Sequence, residues 1–269
     1  MRVFTPEKLK PFVDDAWALG AEAFVVASYG KIVPQALLDA VPVAFNVHPS
    51  LLPLYRGATP LQSAIRDGRT ETGVTIIAMD AGMDTGDVLL QERTPIGETE
   101  TYGELHDRLA RRGAEMAVEA VDRHANGTLA RTAQAAVARQ LGIGDDEIER
   151  TRTRPLGKED MLIGGDRTAK QLVDLVRSLA PSPGARTREG FVLYGRAKIL
   201  KAHVASDGPV IPASIADPGR VVAVDGKVWI EATDGLVAVD ELVVPGGKPV
   251  TGEQFRHGNR DLTNRGAPR

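Results

Sequence analysis

Asn46 and His48 stand two residues apart in the stretch Phe45-Asn46-Val47-His48-Pro49-Ser50-Leu51-Leu52-Pro53-Leu54-Tyr55-Arg56-Gly57. An amide and an imidazole so spaced can both donate hydrogen bonds to one oxygen, which is what a developing oxyanion needs. Phe45 and Val47 alternate with them, so a short strand over 44–47 would release both polar side chains at its carboxyl end, where open α/β sheets place their chemistry. The competing reading of His48 is a strand-end histidine capped by backbone. Two prolines and a glycine after His48 exclude helix and favour a rigid loop. A second cluster, Asp80-Ala81-Gly82-Met83-Asp84-Thr85-Gly86-Asp87, gathers three aspartates in a glycine-bracketed turn. It lacks EF-hand spacing, because Gly86 is misplaced and no glutamate follows at the twelfth position, so no metal is expected.

These residues need elements to position them. Thr5-Pro6-Glu7-Lys8 reads as the start of a helix with Leu9, Phe12, Val13, Ala16 and Trp17 at helical spacing, ended by Gly20. The apolar run 23–29 predicts a parallel strand buried on both faces. A short helix over 34–40, the 44–47 strand, a helix over 60–67 and a strand over 72–79 follow. Residues 88–94 read as a hairpin partner, and 101–124 as a long amphipathic helix stopped by Asn126-Gly127. Alternating helices and strands with short links predict a Rossmann-like α/β domain with a parallel sheet over residues 1–130. Residues 131–155 show little apolar periodicity and are expected to be a linker. In 156–269, Asp166-Arg167-Thr168 caps a helix through Leu179. Short β-rich runs at 191–194, 197–204, 220–224, 228–232 and 237–244 then predict a small OB-like β-barrel domain.

Composition narrows the function classes. No apolar run approaches the ~20 residues of a membrane span, and the N-terminus lacks a signal-peptide pattern. The chain has no cysteine, which excludes disulfides and thiol catalysis. No Gly-x-Gly-x-x-Gly or Walker loop indicates a nucleotide cofactor. A cytoplasmic monomer is expected. Residues 151–269 carry 18 basic and 14 acidic side chains, +4, and residues 1–150 carry 15 and 22, −7. An acidic front and a basic back fit a catalytic domain joined to a module that meets an anionic partner such as a nucleic acid.

Taken together, Asn46-Val47-His48-x-Ser50-Leu51-Leu52-Pro53-x-x-Arg56-Gly57, Glu71-Thr72-Gly73-Val74-Thr75-Ile76 and Met79-Asp80-x-Gly82-x-Asp84-Thr85-Gly86-Asp87 resemble the folate-dependent formyltransferase family in order and spacing. Looser similarity runs through Lys158-Glu159-Asp160, Pro181-x-Pro183-Gly184-Ala185 and Pro245-Gly246-Gly247-Lys248. The resemblance implies 10-formyltetrahydrofolate as formyl donor and the amino group of initiator methionyl-tRNA as acceptor. The alternatives are an amino sugar nucleotide or glycinamide ribonucleotide as acceptor, or an inactive folate- or RNA-binding protein. It implies that Asn46 and His48 serve the oxyanion and leaving nitrogen, that Asp84 orients His48 and takes up the released proton, and that Ser50, Leu51, Leu52 and Pro53 pack against the folate. A carboxylate beside His48 is expected to favour the charged imidazole. Arg56 either faces the folate tail or pins the loop; Tyr29 either lines the pocket or belongs to the core. His106, His124, His203 and His257 are expected to be structural or solvated. The chain departs from the family in lacking its opening strand and helix repeat with Gly-Thr-Pro-x-Phe, so an incomplete sheet is expected. It departs again where Ile163-Gly164-Gly165 replaces Ile-Asp-Trp and where Ser182 replaces an aromatic.

Overall fold

The computed structural model describes residues 7, 9, 13, 20–30, 33–187, 197–206, 208, 218–224 and 227–258. The chain forms two compact units: residues 1–60, 71–95 and 106–155, and residues 61–70, 96–105 and 156–269. The helix expected over 5–20, apart from isolated positions, and the strand expected over 191–194 lie outside the described residues. None of the described helices is long and apolar enough to cross a membrane.

The first unit is built on strands β1 (Phe24–Ala27), β2 (Ala44–His48), β3 (Glu71–Ala78) and β4 (Val88–Pro95), side by side in that order. β1 and β2 run parallel, connected through helix α1 (Gln35–Leu38). β2 and β3 are antiparallel, with Asn46 opposite Ile77 and His48 opposite Thr75, and β3 and β4 form the expected hairpin. The Rossmann-like sheet is therefore mixed. Parallel pairing among the described strands is confined to β1 and β2; the link over 79–87 is too short for the dozen-residue crossover that a parallel β3–β4 pair would need, while β2 and β3 run antiparallel although residues 49–70 separate them. β1 also differs from the strand buried on both faces that its composition suggested. Its residues alternate half-buried and exposed, and Val25 is 48% exposed. β1 ends the described sheet, so its apolar content does not translate into burial.

A helix sets the position of β2. Helix α3 (Tyr102–Ala125) passes Gly113 so close to β2 that a Cβ there would lie 2.7 Å from Val47 Cγ1. Farther along the same helix, the His124 ring meets the fully buried Phe45 ring edge-on, 5.9 Å between centroids. Phe45 and Val47 thus take the face of β2 toward α3. By strand alternation Asn46 and His48 take the other.

Residues 131–155 are not the linker that their weak periodicity suggested. They hold helices α4 (Gln134–Leu141) and α5 (Asp145–Arg150) and belong to the first unit. Thr132 and Val88 exchange two backbone hydrogen bonds of 2.9 Å, and Val137 joins a buried cluster with Leu52, Ile77 and Val88. Helices this short need only one or two apolar contacts to dock, too few to register as a period.

In the second unit, residues 61–66 of helix α2 (Pro60–Arg66) fall in the same unit as helix α6 (Ala169–Leu179). Thr168 opens α6 with a capping box: its side chain accepts from the Gln171 N–H, and the Gln171 side chain accepts in return from the Thr168 N–H. α6 packs on an antiparallel half-barrel of β5 (Ala185–Arg186), β6 (Lys198–Val204), β7 (Val221–Val224), β8 (Lys227–Glu231), β9 (Leu236–Val243) and β10 (Val250–Thr251), followed by α7 (Gly252–Gly258). The strands expected over 197–204, 220–224, 228–232 and 237–244 are β6 to β9. Leu172, Leu175, Leu179, Ile199, Ile230 and Val237 fill the core, and the buried Asp174 and Arg177 pair at 2.8 Å.

The Gly113 approach makes a prediction about the site strand. Gly113→Leu forces α3 away from β2 and is expected to cost about 1–3 kcal/mol, the usual scale for overpacking. Urea unfolding checks this: the midpoint falls, and an unchanged midpoint contradicts the close approach.

Candidate active site

The carboxylate of Asp84 is where the polar groups meet. β2 carries Asn46 and His48 on one face to its carboxyl end, and the turn after β3 carries Asp84 to them. Asn46 Nδ2 donates to Asp84 Oδ1 at 3.1 Å, and His48 Nδ1 lies 3.6 Å from the same oxygen. The backbone N–H of Gly57 donates to the other oxygen, Oδ2, at 2.9 Å. Asp84 adopts φ +55°, a left-handed conformation uncommon for a residue with a side chain. Gly57 has φ +109°, and a Cβ there would sit 2.2 Å from the Thr153 carbonyl, so only glycine brings its N–H to Asp84.

The imidazole of His48 has a defined tautomer. Nε2 is 3.0 Å from the Tyr55 carbonyl, which only accepts, so Nε2 carries a proton and Nδ1 is the nitrogen turned toward Asp84. Tyr55 holds φ +59° to offer that carbonyl. The ring is 4% exposed, and burial pushes its pKa below the ordinary histidine value, while Asp84 and the Tyr55 carbonyl pull it upward. Burial wins. The expectation that a neighbouring carboxylate would favour the charged imidazole is therefore corrected: desolvation outweighs the Asp84 attraction, and His48 is neutral at neutral pH.

The four residues expected to meet folate, Ser50, Leu51, Leu52 and Pro53, are all buried. Ser50 Oγ donates to the Leu54 carbonyl at 2.7 Å, and the Ser50 carbonyl accepts from Thr75 Oγ1 at 2.6 Å. Leu51 Cδ2 lies against Gly73, and Leu52 belongs to the cluster with Ile77, Val88 and Val137. Gln91 Nε2 donates to both the Leu52 carbonyl and Thr75 Oγ1 at 2.9 Å. These side chains hold the loop from within, because a segment without regular ladders must satisfy its polar groups through neighbours.

Arg56 pins the loop. Its Nε and Nη2 donate to Gln134 Oε1 at 3.0 and 2.7 Å, and burial followed by the neighbouring Arg152 charge lowers its pKa. Gln134, the first residue of α4, is 4% exposed and donates from Nε2 to the carbonyls of Asp84 and Gly86, both at 2.8 Å. Thr151 and Thr153 complete the brace: the Tyr55 N–H donates to Thr151 Oγ1, and the Arg56 carbonyl accepts from the Thr153 N–H. Tyr29, at 41% exposure, is not a core residue. Asp80 serves its own turn, accepting from the Gly82 N–H and Thr85 Oγ1. The other histidines lie elsewhere: His106 beside Asp107, His124 on Phe45, His203 on Asp240 and His257 on the Glu253 carbonyl. Reading the sequence missed Gln134, Thr151 and Thr153, and no motif marks them.

Comparison with known proteins follows the same division of the chain. A family model described as formyl transferase matches residues 5–121, and one described as formyl transferase, C-terminal domain, matches residues 155–260. Methionyl-tRNA formyltransferase of Carboxydothermus hydrogenoformans is 37% identical over 267 residues, covering 97% of this chain and 80% of that protein. The Symbiobacterium thermophilum protein of the same name is 39% identical over 261 residues, covering 95% and 74%. Among solved structures, HypX from Aquifex aeolicus in complex with tetrahydrofolic acid superposes with a TM-score of 0.65 at 18% identity, over 91% of this chain and 40% of that one. That likeness is one of fold, and this chain spans less than half of HypX. With family models over both its parts and relatives this similar along nearly its whole length, the chain belongs to the formyl transferase family.

Proposed function

We propose that this chain transfers the formyl group of 10-formyltetrahydrofolate to the amino group of initiator methionyl-tRNA. One observation carries the reading: a buried, neutral imidazole and a carboxamide are held on a single carboxylate at the end of β2, in a chain whose similarity to methionyl-tRNA formyltransferases runs through both units. Similarity to proteins of that name over 95–97% of the chain runs on through residues 155–260, in the part of the chain that carries the basic excess. That favours a tRNA over an amino sugar nucleotide or glycinamide ribonucleotide. Residues 1–155 carry the chemistry, and residues 156–269 meet the tRNA. The protein acts as a cytoplasmic monomer.

The reaction is attack of an amine nitrogen on the formyl carbon, an oxyanion intermediate, and cleavage of the bond between that carbon and N10 of the folate. Asn46 Nδ2 carries two hydrogens; Asp84 takes one, and the second serves the oxyanion. His48 cannot offer Nε2, which the Tyr55 carbonyl holds, so Nδ1 is its working nitrogen. Neutral Nδ1, in place of the Asp84 carboxylate expected for this step, accepts the proton released by the attacking nitrogen, the resulting imidazolium is paired by Asp84, and the proton passes to N10 as the carbon–nitrogen bond breaks. The carboxylate orients both neighbours and balances the transient charge. The formyl oxygen is served by the Asn46 amide, and His48, which has no free N–H until Nδ1 takes the proton, serves the two nitrogens. Ser50, Leu51, Leu52 and Pro53 would hold the folate.

Single-turnover reaction with formyl-labelled 10-formyltetrahydrofolate tests this reading. Label appears on methionyl-tRNA; label found only on an amino sugar nucleotide or glycinamide ribonucleotide contradicts it. Asn46→Ala is expected to slow the transfer about 10²–10³-fold, the range for one lost oxyanion donor. A loss under threefold removes Asn46 from that role.

The buried imidazole also predicts how stability depends on pH. Below the ordinary histidine value of about 6.5, the unfolded chain takes up a proton at His48 that the folded chain resists. Stability from this group is fully present above 6.5 and falls as pH drops toward the lower folded value. Thermal unfolding of the wild type and His48→Gln from pH 7.5 to 5 measures it. The wild type loses more stability on acidification than the variant; parallel curves contradict a buried neutral ring.

A further inference from the structure

Gln134 lies beside the proposed catalytic side chains and hydrogen-bonds to the backbone of Asp84 rather than to its carboxylate. Its carboxamide uses both ends. Oε1 accepts two bonds from Arg56, and Nε2 donates to the carbonyls of Asp84 and Gly86. The residue is 4% exposed, so water does not substitute for these partners. Its reach is fixed by the paired Thr132 and Val88, two residues before α4 begins.

This pattern has a mechanical consequence. Asp84 sits in the left-handed region, which its own side chain disfavours, on a turn exposed at Met83 and Gly82. Within that turn the Asp80 carboxylate holds the Gly82 N–H and Thr85 Oγ1, but not the carbonyls on either side of Thr85. Two carbonyls that flank Thr85 are instead drawn to one amide nitrogen from α4. The opposite end of the same amide is gripped by Arg56, one residue before the Gly57 N–H that binds Asp84 Oδ2. One side chain therefore ties the proline loop and the aspartate turn together, beside the β2 residues Asn46 and His48 that meet the same carboxylate.

We infer that Gln134 is a positioning residue for formyl transfer, acting through Asp84: it fixes the turn so that the carboxylate meets Asn46 and His48 at once. The inference rests on the formyl-transfer reading above and extends it to a residue outside the site. Only an amide does this, because a carboxylate at 134 would keep the Arg56 contact and lose both donors, while a thioether would lose all four bonds.

A double-mutant cycle in single-turnover formylation of methionyl-tRNA separates positioning from folding. Gln134→Met is expected to lower the maximal rate 10- to 100-fold while KM for either substrate changes by less than threefold. In an Asp84→Asn background the same change costs less than threefold, because the carboxylate it positions is already gone. Gln134→Glu, which keeps the Arg56 partner, is expected to be as slow as Gln134→Met and serves the cycle if the methionine variant folds poorly. An equal cost with and without Asp84, or a Gln134→Glu enzyme as fast as the wild type, overturns the inference. A wild type that does not formylate methionyl-tRNA overturns instead the reading on which it rests.

Discussion

The two oxygens of the Asp84 carboxylate are the constraint on which the site depends. Oδ1 takes the Asn46 amide and faces His48, and Oδ2 takes the Gly57 N–H, so three segments distant in sequence are referred to one group. Each segment bends to reach it. Asp84 and Tyr55 both take left-handed backbone conformations, and Gly57 passes within a distance of Thr153 that no Cβ permits. Residues in sparsely populated conformations persist where the surroundings over-determine them, and here Asp84 takes hydrogen bonds from Asn46, Gly57 and Gln134.

What surrounds the site holds its loop in place. The loop after β2 has no ladder of its own, yet its groups are satisfied by Thr75 and Gln91 from the hairpin and by Thr151 and Thr153 from beyond α5. An unmade bond at such depth would cost about 1–3 kcal/mol, so every brace is tied to the fold's stability as well as to the site's geometry. Burial also tunes the chemistry. It keeps the His48 ring neutral in the resting protein, and the nearby carboxylate then stabilises the charge when a proton arrives. A water-exposed histidine beside the same aspartate would be charged more of the time and less able to accept.

Much of this was legible in the chain. The alternation around Asn46 and His48 gave both their strand and their shared face, and the glycines about Asp84 gave a turn. The capping signal at Thr168 gave the start of α6, and β-rich runs gave most of the half-barrel. Other features were illegible for physical reasons. The pairing direction of β2 and β3 depends on the route of the chain between them, which no local pattern records. The segment over 131–155 reads as featureless because its helices dock through Val137 and a few polar side chains. Gln134 acts by the far end of a flexible side chain on carbonyls fifty residues away, and hydrogen bonds to backbone leave no trace in residue type. The folate role of Ser50 to Pro53 came from the family resemblance, and the burial of all four was not legible in their types. Nor did the adjacency of His48 and Asp84 reveal the charge state, since desolvation appears only once the ring is enclosed.

The state of His48 is the most direct gauge of whether Asp84 organises this site. Nitrogen-15 NMR of the histidine-labelled protein, wild type and Asp84→Asn, reads both tautomer and titration. The account predicts a wild-type ring protonated at Nε2 and titrating below 6.5, and a still lower value in the variant, where the carboxylate no longer offsets burial. A ring protonated at Nδ1, or a titration that Asp84→Asn leaves in place, would contradict it.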